Sequence, residues 1–146
     1  NPESIIKTKR QNAPTDKQLS SIKILEKNGI SVKAMFIFGF PGDSLKNALN
    51  TINYALSLPI TYLQFSVFTP YPGTPIFSEY KDKITAKNYE EYTQWGLVFK
   101  HENLTNKDIK YLLNKSYKNF YSSINRLVRI FYRLTKIELR KRFGIF

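Results

Sequence analysis

The chain has 146 residues, is 42% hydrophobic and 15% aromatic, and carries a formal charge of +12 with no cysteine and one histidine, His101. That length fits one ordinary domain of roughly 100–200 residues, and so much apolar surface opposes intrinsic disorder. Without cysteine there is no disulfide scaffold, thiolate-held zinc or iron–sulfur cluster, or thiol nucleophile in this chain, and one histidine excludes a His-rich metal site. No apolar run nears the roughly 18 residues of a spanning helix, and Asn1-Pro2-Glu3-Ser4 lacks a signal-peptide pattern. A cytoplasmic location is the default expectation, with peripheral membrane attachment left open. The non-Met first residue suggests that the chain begins inside a longer one.

Charge is unevenly placed. Residues 1–99 carry 11 Lys+Arg against 8 Asp+Glu, or +3, whereas residues 100–146 carry 12 against 3, or +9.

In chain order, Thr15-Asp16-Lys17-Gln18 reads as a capping box opening a helix. Leu19, Ile22 and Leu25 form its apolar stripe, and Asn28-Gly29 stops it. Ile30 to Phe38 alternates and then turns wholly apolar, as a parallel strand covered on both faces would. Gly39-Phe40-Pro41-Gly42-Asp43-Ser44 is a turn ending in two candidate helix caps. A second helix follows over Leu45–Ser57, closed by Pro59. Residues 61–68 read as a second strand, with Leu63, Phe65 and Val67 on one face and Tyr62, Gln64 and Ser66 on the other.

Helix, strand, helix, strand signals an α/β fold with crossover helices. After Thr69-Pro70-Tyr71-Pro72-Gly73-Thr74-Pro75 the alternation stops. From Thr105, paired with Asp108 as a second cap, the pattern becomes helical. Two parallel strands cannot by themselves cover a strand as apolar as residues 34–38. Partner strands are therefore expected before residue 1 or from a second chain.

Each strand ends in a glycine- and proline-rich loop, and ligands of parallel sheets bind at the carboxyl ends of strands. Both readings of these loops, structural turn and ligand lining, stay open on composition alone. The phosphate-loop pattern is absent.

The phrases Gly29-Ile30-x-Val32-x-x-x-Phe36-Ile37-x-Gly39-Phe40-Pro41-Gly42-Asp43 and Phe65-x-x-Phe68-Thr69-Pro70-Tyr71-Pro72-Gly73-Thr74-Pro75 resemble the later half of radical S-adenosylmethionine enzymes, especially those with a cobalamin-binding domain. Ser4, Lys9 and Thr15 resemble the preceding segment, and Ser116-Tyr117-Lys118-Asn119-Phe120-Tyr121 is similar to the family's helical tail.

The resemblance implies an α/β partial barrel of the TIM type, of which residues 1–80 supply the last parallel strands and residues 81–146 a mainly helical, basic extension. It also implies S-adenosylmethionine and a [4Fe–4S] cluster in the parent enzyme, and cobalamin in the narrower reading. The cluster's C-x-x-x-C-x-x-C loop is absent here. A truncated or split product, an excised fragment and a degenerate relative all fit; a fragment lacking its amino-terminal barrel half is the favoured reading.

Carried over by position, Ile37, Gly39 and Phe40 would meet the cofactor's adenine. Phe68, Thr69 and Pro70 would present backbone to it. Gln64 and Ser66, if they face the barrel interior, would meet substrate or the cofactor's polar groups. Asp43 stands where many relatives carry Glu.

His101 reads as a surface or loop residue. Arg126, Arg129 and Arg133 lie on one stripe of a basic amphipathic helix. It either packs its apolar side on the barrel, leaving the arginines in water, or lies on an anionic membrane. Nucleic acid ranks last, because no nucleic-acid-reading motif accompanies the charge.

Overall fold

Strands β1 (Lys33–Phe38) and β2 (Tyr62–Val67) lie parallel, with Lys33 opposite Tyr62 and Phe38 opposite Val67. The computed structural model describes residues 15–144, without the side chains of residues 15, 140 and 141. The Thr15 hydroxyl of the anticipated capping box and the Ser4–Lys9 stretch therefore lie outside the described residues. Five helices accompany the strands among those residues: α1 (Thr15–Lys27), α2 (Leu45–Ser57), α3 (Pro75–Tyr80), α4 (Asn106–Tyr121) and α5 (Ile124–Phe143). The molecule is thus a mixed α/β arrangement with a two-stranded sheet.

Local chemistry sets most element ends. Helix α1 closes with Gly29 at φ +85°; its N–H donates to the Glu26 carbonyl and the Ile30 N–H to that of Leu25, the two bonds of a Schellman stop. Ser44 caps α2 by accepting from the Asn47 N–H at 3.2 Å. Thr105 and Asp108 form a reciprocal capping box on α4. The Thr105 hydroxyl, donating to Asp108 Oδ2 at 2.6 Å, and then the Thr105 N–H hold the Asp108 carboxyl below its usual range. The first strand is shorter than its apolar run, because Ile30 sits in the turn after α1 and is exposed.

Register sorts the strands into two faces. Ala34, Phe36 and Phe38 pair with Leu63, Phe65 and Val67, and this face is the core. Phe65 is its centre, stacked on Phe38 at 4.5 Å and on Phe36 at 5.4 Å between ring centroids. Helix α2 covers this face with Ala48, Ile52 and Ala55, and α4 with Ile109, Leu112, Leu113 and Phe120. Leu97, Val98, Phe99 and Leu104, from the irregular stretch between α3 and α4, join the same cluster.

The opposite face carries Lys33, Met35 and Ile37 beside Tyr62, Gln64 and Ser66. Met35 is 64% exposed there, so the strand expected to be covered on both sides is covered on one among the described residues.

The two edges of the sheet also differ. Tyr62 N–H donates to the Val32 carbonyl and Phe68 N–H to that of Phe38, so the odd-numbered residues of β2 direct their backbone groups away from β1. On that outer edge Tyr121 Oη accepts from Leu63 N–H at 3.1 Å and donates to the Leu63 carbonyl at 3.0 Å. One turn earlier on α4, Tyr117 Oη does the same for Phe65, at 3.0 and 3.3 Å. The Val67 N–H donates to the Gln94 carbonyl at 2.8 Å. Two phenols and one carbonyl thus replace a neighbouring strand. The far edge of β1 has no strand beside it among the described residues.

Helix α5 does not leave its arginines in water, as packing by its apolar side would. Arg126 donates to the Leu56 carbonyl and lies 4.0 Å over the Phe120 ring, while Arg133 pairs with Glu26 at 3.3 Å. Two of the three stripe arginines therefore pack inward, and Val128, Phe131 and Tyr132 face out at 62%, 70% and 60% exposure. On the inward side Arg126 finds a carbonyl and a ring face, and Arg133 a carboxylate and a carbonyl, the partners that favour an inward guanidinium.

Candidate cofactor site at the strand ends

The first loop is held closed from within. Phe40 N–H donates to Asp43 Oδ2 at 3.0 Å and Asp43 N–H returns to the Phe40 carbonyl at 2.8 Å. Asp43 therefore closes the turn, and Ser44 alone is the helix cap. Burial pushes the Asp43 carboxyl up from its usual range, against the lowering effect of the Phe40 hydrogen bond.

His101 is not idle surface. Its Nδ1 accepts from the Asn103 and Leu104 N–H groups, at 3.0 and 3.1 Å, which leaves Nε2–H to donate to the Phe40 carbonyl at 3.0 Å. Asn103 Nδ2 adds a bond to the Asp43 carbonyl. The segment before α4 thus clamps the Phe40–Asp43 turn from outside.

The two glycines of this loop serve different ends. Gly39, at φ +75°, is buried, and a Cβ there would stand 3.3 Å from Leu97 Cδ2 and 3.6 Å from Val67 Cγ1. Its missing side chain admits the protein's own core. Gly42, at φ +82°, has nothing within 4 Å of that position and stays open to solvent.

The second loop is legible residue by residue. Thr74 N–H bonds the Tyr71 carbonyl around Pro72 and Gly73, the latter at φ +85°, which is the sequence pattern of a type II turn. Thr74 then caps α3 by accepting from Phe77 N–H at 3.3 Å, and Pro75 takes the first helical position.

At the strand ends the Phe40 and Phe68 rings meet at 5.0 Å, and Phe68 packs edge-on to Tyr80 and Phe99. Pro70 is fully buried and Thr69 Oγ1 is bonded to the Val67 carbonyl. Of Phe68, Thr69 and Pro70, the backbone is what remains to offer a ligand.

Register places Ile37 beside Ser66 on the face away from the core, with Gln64 one step back beside Met35. Gln64 also borders a groove of about 380 Å³ with Tyr62, Trp95, Tyr117 and Tyr121. The structure therefore gathers Ile37, Gly39, Phe40, Phe68, Thr69 and Pro70 at one end of the sheet. Gln64 stands half-buried on the face away from the core, leading to that end, and Ser66 on the same face is buried. Sequence reasoning missed the clamp from His101 and Asn103 and the groove wall from Trp95; the Tyr117/Tyr121 spacing of four was the visible signal for the edge.

The donor set does not suit an iron–sulfur cluster. Cysteine is absent from the whole chain, and no group of three His, Asp or Glu that could hold a metal ion occurs among the described residues.

No family model matches the chain. It is 35% identical over 106 residues to an uncharacterised methyltransferase of Pyrococcus horikoshii, covering 70% of this chain and 23% of that protein. Against the bacteriochlorophyllide d C-12(1)-methyltransferase of Chlorobaculum tepidum it is 35% identical over 80 residues, 55% of this chain and 18% of the relative. Against the anaerobic magnesium-protoporphyrin IX monomethyl ester cyclase of Cereibacter sphaeroides identity is 26% over 101 residues, 69% and 16% of the two. The chain thus has methyltransferases and a cyclase as relatives, and spans about a fifth of the length of these three proteins.

One consequence of the loop geometry is directly measurable. Asp43→Ala removes the acceptor for Phe40 N–H and is expected to cost about 1–2 kcal/mol, whereas Asp43→Asn keeps an acceptor oxygen and costs less. Because the carboxyl is raised in the folded state, the wild type loses stability relative to Asp43→Asn as pH rises from the ordinary Asp range, near 3.8, through the raised value. Urea unfolding of both proteins across pH 3 to 7, about four units, checks the sign; a wild type that gains on Asp43→Asn with rising pH contradicts it.

Proposed function

We propose that this chain is the closing portion of a radical S-adenosylmethionine enzyme, lining the S-adenosylmethionine and substrate pocket while another portion of the protein holds the cluster. The observation that carries the reading is the pair of glycine–proline loops at adjacent carboxyl ends of two parallel strands, beside a strand edge with no neighbour among the described residues. The relatives named as methyltransferases support use of S-adenosylmethionine.

In this reading Ile37 and the Phe40 turn, whose own backbone groups are already bonded, pack on the adenine beside the backbone of Phe68–Pro70. The Asp43 turn and the His101 clamp fix that backbone before the ligand arrives, so less ordering is needed on binding. Gln64 and the buried Ser66 supply polar contacts on the face away from the core. The cluster has no ligand in these residues and no chemical step is derived through it. A cobalamin domain is the narrower form of the proposal and comes from the resemblance alone.

The test uses this chain and a longer polypeptide encoded with it, both treated anaerobically with iron and sulfide. The chain alone is expected to show no iron–sulfur absorbance; the longer polypeptide is expected to show it and to bind S-adenosylmethionine. Ser66→Leu in the longer polypeptide is expected to weaken that binding about tenfold, the loss of one buried polar contact. A cluster assembled on the chain alone, or no binding by the longer polypeptide, overturns the proposal.

A further inference from the structure

A cleft of about 570 Å³ separates the carboxyl end of α1 from α5. Lys23 and Lys27 line one wall, four residues apart on α1; Arg129, Arg133 and Lys136 line the other, at the spacing of successive turns. Among the described residues Glu26 is the only carboxylate lining the cleft, and it is already engaged: Arg133 donates to its Oε2 at 3.3 Å and to its backbone carbonyl at 2.7 Å. Five cationic groups therefore face one another with a single compensating charge. An anion entering between them removes repulsion that the fold leaves in place.

The second observation lies on the same helix. Tyr132 lines the cleft and is 60% exposed, and from it the outward surface of α5 continues through Ile124, Val128, Phe131 and Leu139, all at least 56% exposed. At about 1.5 Å per residue the strip from Ile124 to Leu139 is about 23 Å long, beside the cationic cleft. Exposed apolar strips of that extent mark interaction sites. No helix among the described residues is long and apolar enough to cross a membrane, so α5 fits a surface and not a span.

From this juxtaposition we propose that α5 docks on an anionic lipid bilayer, with a phospholipid phosphate in the α1/α5 cleft and the Val128, Phe131 and Leu139 side chains in the acyl boundary. Charge complementarity selects this occupant: the strip is flanked by Arg129 and Lys136 of the cleft, whereas a protein partner would need its own acidic rim facing them. Arg126, bonded to Leu56, takes no part. None of the strand-end residues Ile37, Gly39, Phe40 and Phe68–Pro70 lines this cleft.

The test is co-sedimentation of the full chain with phosphatidylcholine vesicles, with and without about 30 mol% phosphatidylglycerol. Binding to the anionic vesicles only is expected. Each surface cation contributes roughly fivefold, so Arg129→Gln with Lys136→Gln is expected to weaken binding about thirtyfold. Phe131→Glu and, independently, Leu139→Glu are each expected to weaken it at least tenfold, by putting a charge into the acyl boundary. Phe131, Lys136 and Leu139 are exposed and Arg129 is half-buried at the cleft wall, so far-UV circular dichroism of the variants is expected to match the wild type.

Three results overturn the proposal. One is no binding to anionic vesicles. Another is binding that survives Phe131→Glu and Leu139→Glu while inorganic pyrophosphate displaces it, which makes the cleft a soluble-anion site. The third is a lipid-free dimer that both Glu variants dissociate, which makes the strip a contact between copies.

Discussion

Glu26→Ala is expected to lower the unfolding free energy by about 3–5 kcal/mol, the usual cost of removing one partner from a buried ion pair. Glu26 gathers more of the chain than any other polar side chain described. Its Oε1 accepts from Val32 N–H at 2.8 Å, Thr61 N–H at 2.9 Å and Thr61 Oγ1 at 2.8 Å, and its Oε2 meets Arg133. The Glu26 and Arg133 side chains are only 9% and 11% exposed. With Ala at the position, Val32 N–H loses its acceptor, Thr61 N–H keeps only its 3.2 Å bond to the Val32 carbonyl, and a guanidinium is left without its countercharge. Glu26→Gln keeps one oxygen for the amides and forfeits the charge, so it is expected to cost less. Urea unfolding followed by far-UV circular dichroism measures both; a loss under about 1 kcal/mol for Ala means that water replaces these bonds freely.

The second large effect falls on the phenols at the β2 edge. Tyr117→Phe and Tyr121→Phe each leave one backbone N–H and one carbonyl of β2 unpaired beneath α4, at about 1–3 kcal/mol apiece. The ring packing survives the change, since only the hydroxyl is removed. Amide exchange gives the specific signature. Leu63 exchanges faster in Tyr121→Phe and Phe65 in Tyr117→Phe, while Val67, bonded to Gln94, keeps its protection in both. Equal protection of Leu63 and Phe65 in wild type and variants would show that the phenols do not hold this edge.

Much of the fold was readable because its determinants are local. The stripe through Ala48, Ile52 and Ala55 marks α2 with its observed bounds, and the Thr105/Asp108 box marks the start of α4. The alternation of Tyr62–Val67 assigns each residue of β2 to its observed face. In the second loop Pro72, Gly73, Thr74 and Pro75 each occupy the turn or cap position that their own chemistry favours.

What escaped reading depends on partners far along the chain. Arg126 and Arg133 turn inward because Leu56 lies 70 residues and Glu26 107 residues away, a distance no periodicity reports. Periodicity alone marks α5 as amphipathic and leaves open which side faces the protein. His101 reads as a lone histidine until the fold sets it against Phe40, 61 residues earlier. At the candidate site the loop phrases were visible. The roles of their glycines were not, because only the packed core shows that Gly39 yields to Leu97 and Val67 while Gly42 opens outward.

We propose that β1 presents an edge and a face that a further part of a longer protein covers. Amide exchange at Lys33, Met35 and Ile37, whose backbone groups point away from β2, tests it most directly. In the chain alone these three amides are expected to exchange rapidly while Ala34, Phe36 and Phe38 are protected. In the longer polypeptide all six should be protected. Rapid exchange at Lys33, Met35 and Ile37 in the longer polypeptide, or full protection already in the chain alone, would contradict it.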